Sequence, residues 1–325
     1  QDGRVMEGLA GYVLRRLLFL PITLLIVSFA TFYITRWGPG DPVRVYANAG
    51  YADPEALDRV RHKYGLDKPI IVQYRIWLQD VLTEGDFGVS FRFRDRSIPE
   101  IIGPKIWVSI RVSAWAFLIT FLVGIPAGVY SAMRQGSWRD PTLISSFLVF
   151  QSIPVLVSVP TLVLIFAAKL HWLPPGGFDG MFSKSIIIPT LALSLPGIAG
   201  VARLARATTL GTLHADYVRT ARAKGLAESV VITRHIARNS LVPVMTTVIG
   251  LALVSLVEGA LITETLLGIP GIGRFAYESV TGRDYNVVLA IVLLITALFV
   301  LANLLVDLTL ILIDPRIRAS RSSMR

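Results

Sequence analysis

The chain has 325 residues, of which 53% are hydrophobic and 17% charged, with a net charge of +10 and no cysteine. That composition is too apolar for an ordinary soluble domain and marks a multi-spanning membrane protein. The lack of Cys excludes disulfides, thiolate metal sites and thiol catalysis. His62, His171, His214 and His235 are dispersed without HExxH spacing, so no metal site is expected. No Gly-Lys dipeptide occurs, which excludes a phosphate-binding GxxxxGK[ST] loop. Any nucleotide hydrolysis coupled to this chain therefore takes place on another polypeptide.

Six apolar runs are long enough to cross about 30 Å of hydrocarbon. The first, Leu17 to Thr35, follows Arg15 and Arg16. It exceeds the roughly 7 to 15 apolar residues of a signal peptide, and the WGPGDP after it lacks a small-x-small cleavage pattern, so it reads as a retained span. From Arg36 to Ile106 the chain is mixed in charge. Within that segment Asp53, Pro54 and Glu55 form a helix start and Gly65 a stop. A second helix is expected after Pro69, with Ile70, Ile71, Tyr74, Trp77, Leu78 and Val81 on one face. That face either packs on the protein's own spans or the lipid interface, or offers a ledge to an external partner.

The second span is expected at Val112 to Met133, with Arg111 snorkelling at its mouth. The third runs from Thr142 to Ala168 and contains Pro154 and Pro160; the fourth runs from Ser185 to Ala202 and contains Pro189, Pro196, Gly197 and Gly200. Backbone groups freed at such breaks are tolerated where they are buried in protein or line a water-filled cavity, so both spans are candidates for a pathway wall, with packing kinks as the alternative. The fifth span, Leu241 to Thr263, is interrupted by Glu258, and the sixth, Tyr285 to Ile313, by Asp307. An ionisable residue at a span centre costs about 2.5 to 3.5 kcal/mol, so it usually faces a cavity or partner. Gln151, Pro196, Glu258 and Asn303 are the candidate path residues, with a structural hydrogen-bond role as the equal alternative for Glu258, while Asp307 reads as structural.

Six spans place both termini on one side. Segments 1–16, 134–140, 203–240 and 314–325 carry net charges of +1, +1, +5 and +3, together the whole net charge of the protein. All four fall on one face, which is therefore cytoplasmic. The same distribution argues against nucleic-acid binding, since the basic residues flank spans as topology signals. The largest of these segments is amphipathic. Asp216 is expected to cap a short helix through Tyr217, Val218, Ala221 and Ala223, with Gly225 ending it at C′. A further helix is expected near Glu228, whose Val230, Val231 and Ile236 lead into span five. By composition alone such a loop is a solvated face.

The residues DYVRTARAKGL at 216–226 and RHIARNSLVPV at 234–244 closely resemble the EAA loop of ATP-binding-cassette importer membrane subunits. More narrowly, they resemble the first (B-type) membrane subunit of the dipeptide and oligopeptide permeases. YVLRRLL at 12–18, PGDPV at 39–43, GDFGVS at 85–90, GIPAG at 124–128, ETLLGIPGIGR at 264–274, RDYNVV at 283–288 and DPRIR at 314–318 extend the likeness along most of the chain. Where the broad motif has Glu-Ala-Ala this chain has Arg219-Thr220-Ala221, and where it closes on Leu-Pro this chain has Ala237-Arg238, departures that resemble the B-type subunits themselves.

The resemblance implies an all-α membrane protein with six transmembrane helices in the type I importer permease fold (MetI-like), without enzymatic activity of its own. It implies a cytoplasmic N-terminus with the first span (1–35), an extracytoplasmic segment (36–106), a five-helix core (107–313) containing the coupling loop 203–240, and a basic cytoplasmic tail (314–325). The implied partners are a second homologous permease subunit, two cytoplasmic ATPase subunits that hold ATP and Mg, and an external substrate-binding protein. No cofactor is expected on this chain. The implied location is the cell (inner) membrane of a bacterium or archaeon. Asp216, Tyr217, Arg219, Thr220, Ala221, Lys224, Gly225 and Leu226 become the expected ATPase-coupling residues. Members import dipeptides, longer peptides, nickel complexes, glutathione or sugars, so the cargo is not identified. A secondary transporter driven by protons through Glu258 and Asp307, and a membrane scaffold without transport, are the alternatives.

Overall fold

The computed structural model describes residues 2–37, 55, 61–62, 67–88, 90, 92–93, 96–241, 243–245 and 261–313. The expected helix start at 53–55, its stop at Gly65, the PGDPV and DPRIR motifs, Glu258 and most of the expected fifth span lie outside the described residues, as does the side chain of Asp307. The elements are helices: α1 (Asp2–Trp37), α2 (Ile70–Glu84), α3 (Ile98–Met133), α4 (Arg139–Ser152), α5 (Val155–Leu162, continuing as a π-helical stretch over Val163–Lys169) and α6 (Ile187–Leu213). There follow α7 (Asp216–Ala223), α8 (Glu228–Val230, continuing as a π-helical stretch over Val231–Ala237), α9 (Leu261–Leu266), α10 (Ile272–Thr281) and α11 (Tyr285–Ile313). They divide into two compact units, Gln1–Ser109 with Pro270–Leu301 and Ile110–Ile269 with Ala302–Arg325.

Among the described residues four helical segments are long and apolar enough to cross a membrane: Leu18–Arg36, Ile98–Met133, Lys184–Leu213 and Tyr285–Leu305. The expected third span is different in form. It is a pair, Arg139–Ser152 and Val155–Lys169, bent by 98°. Proline is the cause, because Pro154 cannot donate its nitrogen to α4 and drives Ile153 out of the helical region, to φ −84° and ψ 117°. Two expected boundaries also move. The second span begins at Ile98 rather than Val112, and at 36 residues α3 is about 54 Å long, well beyond the hydrocarbon thickness. The fourth continues past Ala202 to Leu213, since no breaker separates its apolar part from the polar residues 203–213.

In the first unit α2 starts after Pro69, as its sequence indicates, and packs on the protein's own helices. Ile70, Tyr74, Leu78 and Val81 close over Phe32, Trp77 and Leu289. The Tyr74 ring meets Phe29 and Phe32 edge-on at 5.1 and 5.4 Å, and its hydroxyl bonds Ser28 at 2.7 Å. Ile71, expected on this face, is instead 69% exposed. A second core joins the first turns of α3 (Ile98, Ile101, Ile102) to Ile272 and Phe275 of α10 and Val287, Ala290 and Ile291 of α11. Between them runs the GDFGVS turn. Trp77 Nε1 donates to the Phe87 carbonyl at 3.3 Å, and Ser90 Oγ donates to the buried Asp284 carboxylate at 2.5 Å. Gly88, at φ +88°, lies against the Asn286 side chain, where a Cβ would sit 3.0 Å from its amide nitrogen. The first free N–H of α10, on Ile272, is satisfied from another helix by Ser109 Oγ at 2.9 Å. These parts, α2, the 85–90 turn, the start of α3, α10 and the start of α11, form what we call the cap.

In the second unit α3 and α6 approach backbone to backbone. The GIPAG motif supplies glycine at 124 and 128. A Cβ on Gly124 would lie 2.9 Å from Val201, and one on Gly128 would overlap the Ala202 carbonyl and the Ala205 methyl. Small residues at four-residue spacing are how membrane helices gain contact without a hydrophobic driving force. Ile125, Val201, Ala205 and Val244 complete that seam.

Candidate functional site

The site is built around α7. α6 ends at Leu213, and after His214 and Ala215 the chain turns directly into Asp216–Ala223. Asp216 does not cap this helix as expected: Ala215, extended at φ −68° and ψ 145°, occupies the N-cap position without a side-chain bond. Asp216 is the first helical residue instead. There its carboxylate favours the positive end of the helix and lies 3.9 Å from Arg219. The other end is as the sequence indicates. Lys224 is the C-cap, and Gly225 follows at φ +75°, a conformation that side chains with a Cβ adopt only with strain.

The eight-residue helix has two unlike faces. Val218 and Ala221 are buried against Val231 and Ile236 of the segment after α8, with Leu213, Ala215 and Ile232 around them. Ala221, expected among the contact residues, is thus turned inward at 4% exposure, and its part is to seat the helix. Asp216, Tyr217, Arg219, Thr220, Lys224 and Leu226 are all exposed. Tyr217 and Leu226 remain 44% and 42% exposed, and Val230, expected with Val231 and Ile236 to lead into span five, joins them at 38%. The turn between the helices is closed by an ion pair that the sequence also hid. Arg222 Nη2 and Nε donate to the Glu228 carboxylate at 2.8 and 3.2 Å. This hydrogen bond holds the Glu228 carboxyl below its ordinary range and raises the Arg222 guanidinium in turn.

Two further polar contacts connect α6 to its neighbours. Thr209 Oγ1 donates to Ser240 Oγ at 3.3 Å, tying α6 to the residues that follow α8. Arg206 pairs bidentately with Asp140 near the start of α4, Nε to Oδ1 at 2.7 Å and Nη2 to Oδ2 at 2.6 Å, and Ser131 Oγ donates to the same carboxylate. The only sequence signal for this pair was a lone acid within the basic turn 134–140.

The candidate path residues are placed separately. Gln151, exposed at the end of α4 beside the 98° bend, accepts a hydrogen bond from Arg203 Nη2 at 3.1 Å, so it is paired with a cation that the sequence reading left in the loop. Pro196 is half-buried inside α6, and Asn303 is half-buried in α11. Arg111 is exposed within α3.

Among the described residues the elements are helices, several of membrane length, with a short amphipathic helix seated on the segments before and after it, the make-up of an integral membrane protein. The chain belongs to the family of binding-protein-dependent transport system inner membrane components, whose model matches residues 124–319, with the family's N-terminal model matching residues 9–93. It is 38% identical over 307 residues to the oligopeptide transport system permease protein OppB of Escherichia coli, covering 94% of this chain and 99% of that protein. It is 36% identical over 334 residues to the dipeptide transport system permease protein DppB of Alkalihalophilus pseudofirmus, covering 95% and 99%. Among solved structures, the MetNI methionine ABC transporter in an inward-facing conformation matches 65% of this chain and 96% of its own at TM-score 0.51 and 16% identity, a likeness of fold. The chain is a multi-pass inner-membrane protein of the importer permease class, a transport component and not an enzyme. These comparisons give no support to the proton-driven reading.

Proposed function

We propose that the chain is the B-type permease subunit of an ATP-driven peptide importer, and that α7 is where the ATPase acts. In this reading a second homologous membrane subunit completes the pathway, two cytoplasmic ATPases hold ATP and Mg, and an external binding protein delivers the peptide. Both termini and α7 lie on the cytoplasmic side, as the concentration of Lys and Arg in 203–240 favours. The observation that carries the reading is the division of the 216–230 segment into a buried seat, Val218 and Ala221, and an exposed surface of Tyr217 on α7 with Leu226 and Val230 beyond its end, flanked by Arg219 and Lys224. A short helix with an unpartnered aromatic and aliphatic edge rimmed by cations has the character of an interface anchor. The peptide cargo is supported by the names of the relatives matched over nearly their full length.

ATP-driven closure of the ATPases displaces α7. Its direct continuations, α6 on one side and α8 on the other, carry that displacement to the helices that line the cavity, which opens alternately to either face. Gln151, Pro196, Glu258 and Asn303 are the residues proposed for the path. The test is Gly225→Val in the assembled importer. There is open space around Gly225, so its φ of +75° is what the substitution strains. The expected result is ATP hydrolysis without matching peptide uptake, with the protein present in the membrane at normal level. Normal uptake at normal expression overturns the reading.

A further inference from the structure

The seam between α3 and α6 is largely apolar and close-packed, and apolar contacts are non-directional, whereas paired charges fix orientation. Directed bonds also join α6 to α3 and α4: Thr120 Oγ1 donates to the Ser194 carbonyl at 3.3 Å and Arg203 Nη2 to Gln151 at 3.1 Å, but the ion pair of Arg206 with Asp140 is the one that is bidentate and charged on both sides. Asp140 is 5% exposed, and its two oxygens are engaged by Arg206 Nε and Nη2 at 2.7 and 2.6 Å, with Ser131 Oγ donating to the same carboxylate. A bidentate guanidinium–carboxylate pair fixes orientation as well as distance. A buried pair is weak grounds for stability in itself, whereas loss of one partner leaves an uncompensated charge. Its three members come from three places: the last turn of α3 (Ser131), the first turn of α4 (Asp140) and α6 two turns before Leu213 (Arg206). Leu213 packs against the buried side of α7, and Thr209, between Arg206 and Leu213, is bonded to Ser240. One path of specific contacts therefore runs from α7 through the end of α6 to the turn that joins α3 to the bent pair α4–α5.

We propose that Arg206, Asp140 and Ser131 are positioning residues for transport: they form a clamp that makes the α3–α4 turn, and with it the bent pair, follow α6 when α7 is displaced. The inference rests on the reading that the ATPase acts on α7. Breaking the clamp uncouples hydrolysis from movement of cargo, because the ties of α6 to α3 and α4 that remain, Thr120 to Ser194 and Arg203 to Gln151, are single hydrogen bonds that do not fix orientation as the bidentate pair does.

The test uses the full importer in proteoliposomes, with ATP hydrolysis and uptake of labelled trialanine measured separately. For Arg206→Gln and Asp140→Asn, trialanine taken up per ATP falls about tenfold while hydrolysis stays within about twofold of the parent. Exchange of the charges, Asp140→Arg with Arg206→Asp, recovers part of the lost ratio. Parallel loss of uptake and hydrolysis, the mark of a merely structural pair, overturns the clamp, and so does an unchanged ratio. Should the single variants fail to assemble, Ser131→Ala keeps the ion pair and removes one hydrogen bond. Its ratio falls by about two- to threefold; no change overturns the proposal. Gly225→Val is run beside them. If it couples normally the reading of α7 fails, whereas if it uncouples and the clamp variants do not, the clamp alone fails.

Discussion

The cap and the α7 block are built on opposite principles. In the cap, apolar side chains from four helices interlock, and the turn at 85–90 is hydrogen-bonded to Asp284 and lies against Asn286, both buried. In the α7 block an eight-residue helix rests on two buried residues, Val218 and Ala221, and keeps its charged residues in solvent. A region held by many mutually supporting contacts opens only with the whole fold, while one held by few opens or shifts at small cost. Under the proposed coupling, the cap stays in place and the α7 block is moved.

Variants on the two sides of this contrast should separate cleanly. Val218→Asp places an unpaired charge at a fully buried position of α7 and is expected to cost about 4 kcal/mol locally. It should abolish ATPase association in pull-down while leaving the amide-exchange protection of α2 and α10 unchanged. In the cap, Asp284→Ala removes the acceptor of the buried Ser90 hydroxyl and one of the two acceptors of the Arg92 N–H, which keeps Ser90 Oγ. A loss of about 3 kcal/mol is expected, read as a lowered melting temperature in detergent, with α7 protection unaltered. Tyr217→Ala, on the exposed face, leaves the subunit's own stability unchanged and weakens ATPase binding by about tenfold.

The smallest effect is that of pH on the turn. Because hydrogen bonding lowers the Glu228 pKa in the folded state, its contribution is complete above the ordinary value of 4.5 and is lost as pH falls through the lowered value. Amide exchange of residues 224–228, corrected for intrinsic rates, should therefore be constant around neutrality and quicken on acidification below that range. Glu228→Gln should flatten the dependence.

Much of this contrast was legible in the sequence, and the parts that were not share a cause. Span existence follows from composition, α2 from Pro69 and its apolar period, and the end of α7 from Gly225, because each is a local property of the chain. What escaped depends on partners distant in sequence or on geometry beyond hydropathy. Hydropathy treats Arg203 and Arg206 as the start of a loop, but the helix continues and the arginines reach back to Gln151 and Asp140. The inward turn of Ala221 is set by Val231 and Ile236, and the exposure of Ile71 by the aromatic packing on the other side of α2. Pro154 was visible as a break, but the 98° bend that it produces was not.

A fixed cap with a moving α7 is tested most directly with spin labels, which the absence of cysteine from this chain allows to be placed on it singly or in pairs. With Thr83→Cys and Thr281→Cys both labels report on the cap, and with Thr220→Cys and Thr281→Cys one reports on α7 against it. Distances are measured by double electron–electron resonance in the assembled importer, with and without trapped ATP. The expected result is a cap distance that stays the same and an α7 distance that shifts by several ångströms. An α7 distance that does not respond to ATP, or a cap distance that shifts as much as it does, would contradict it.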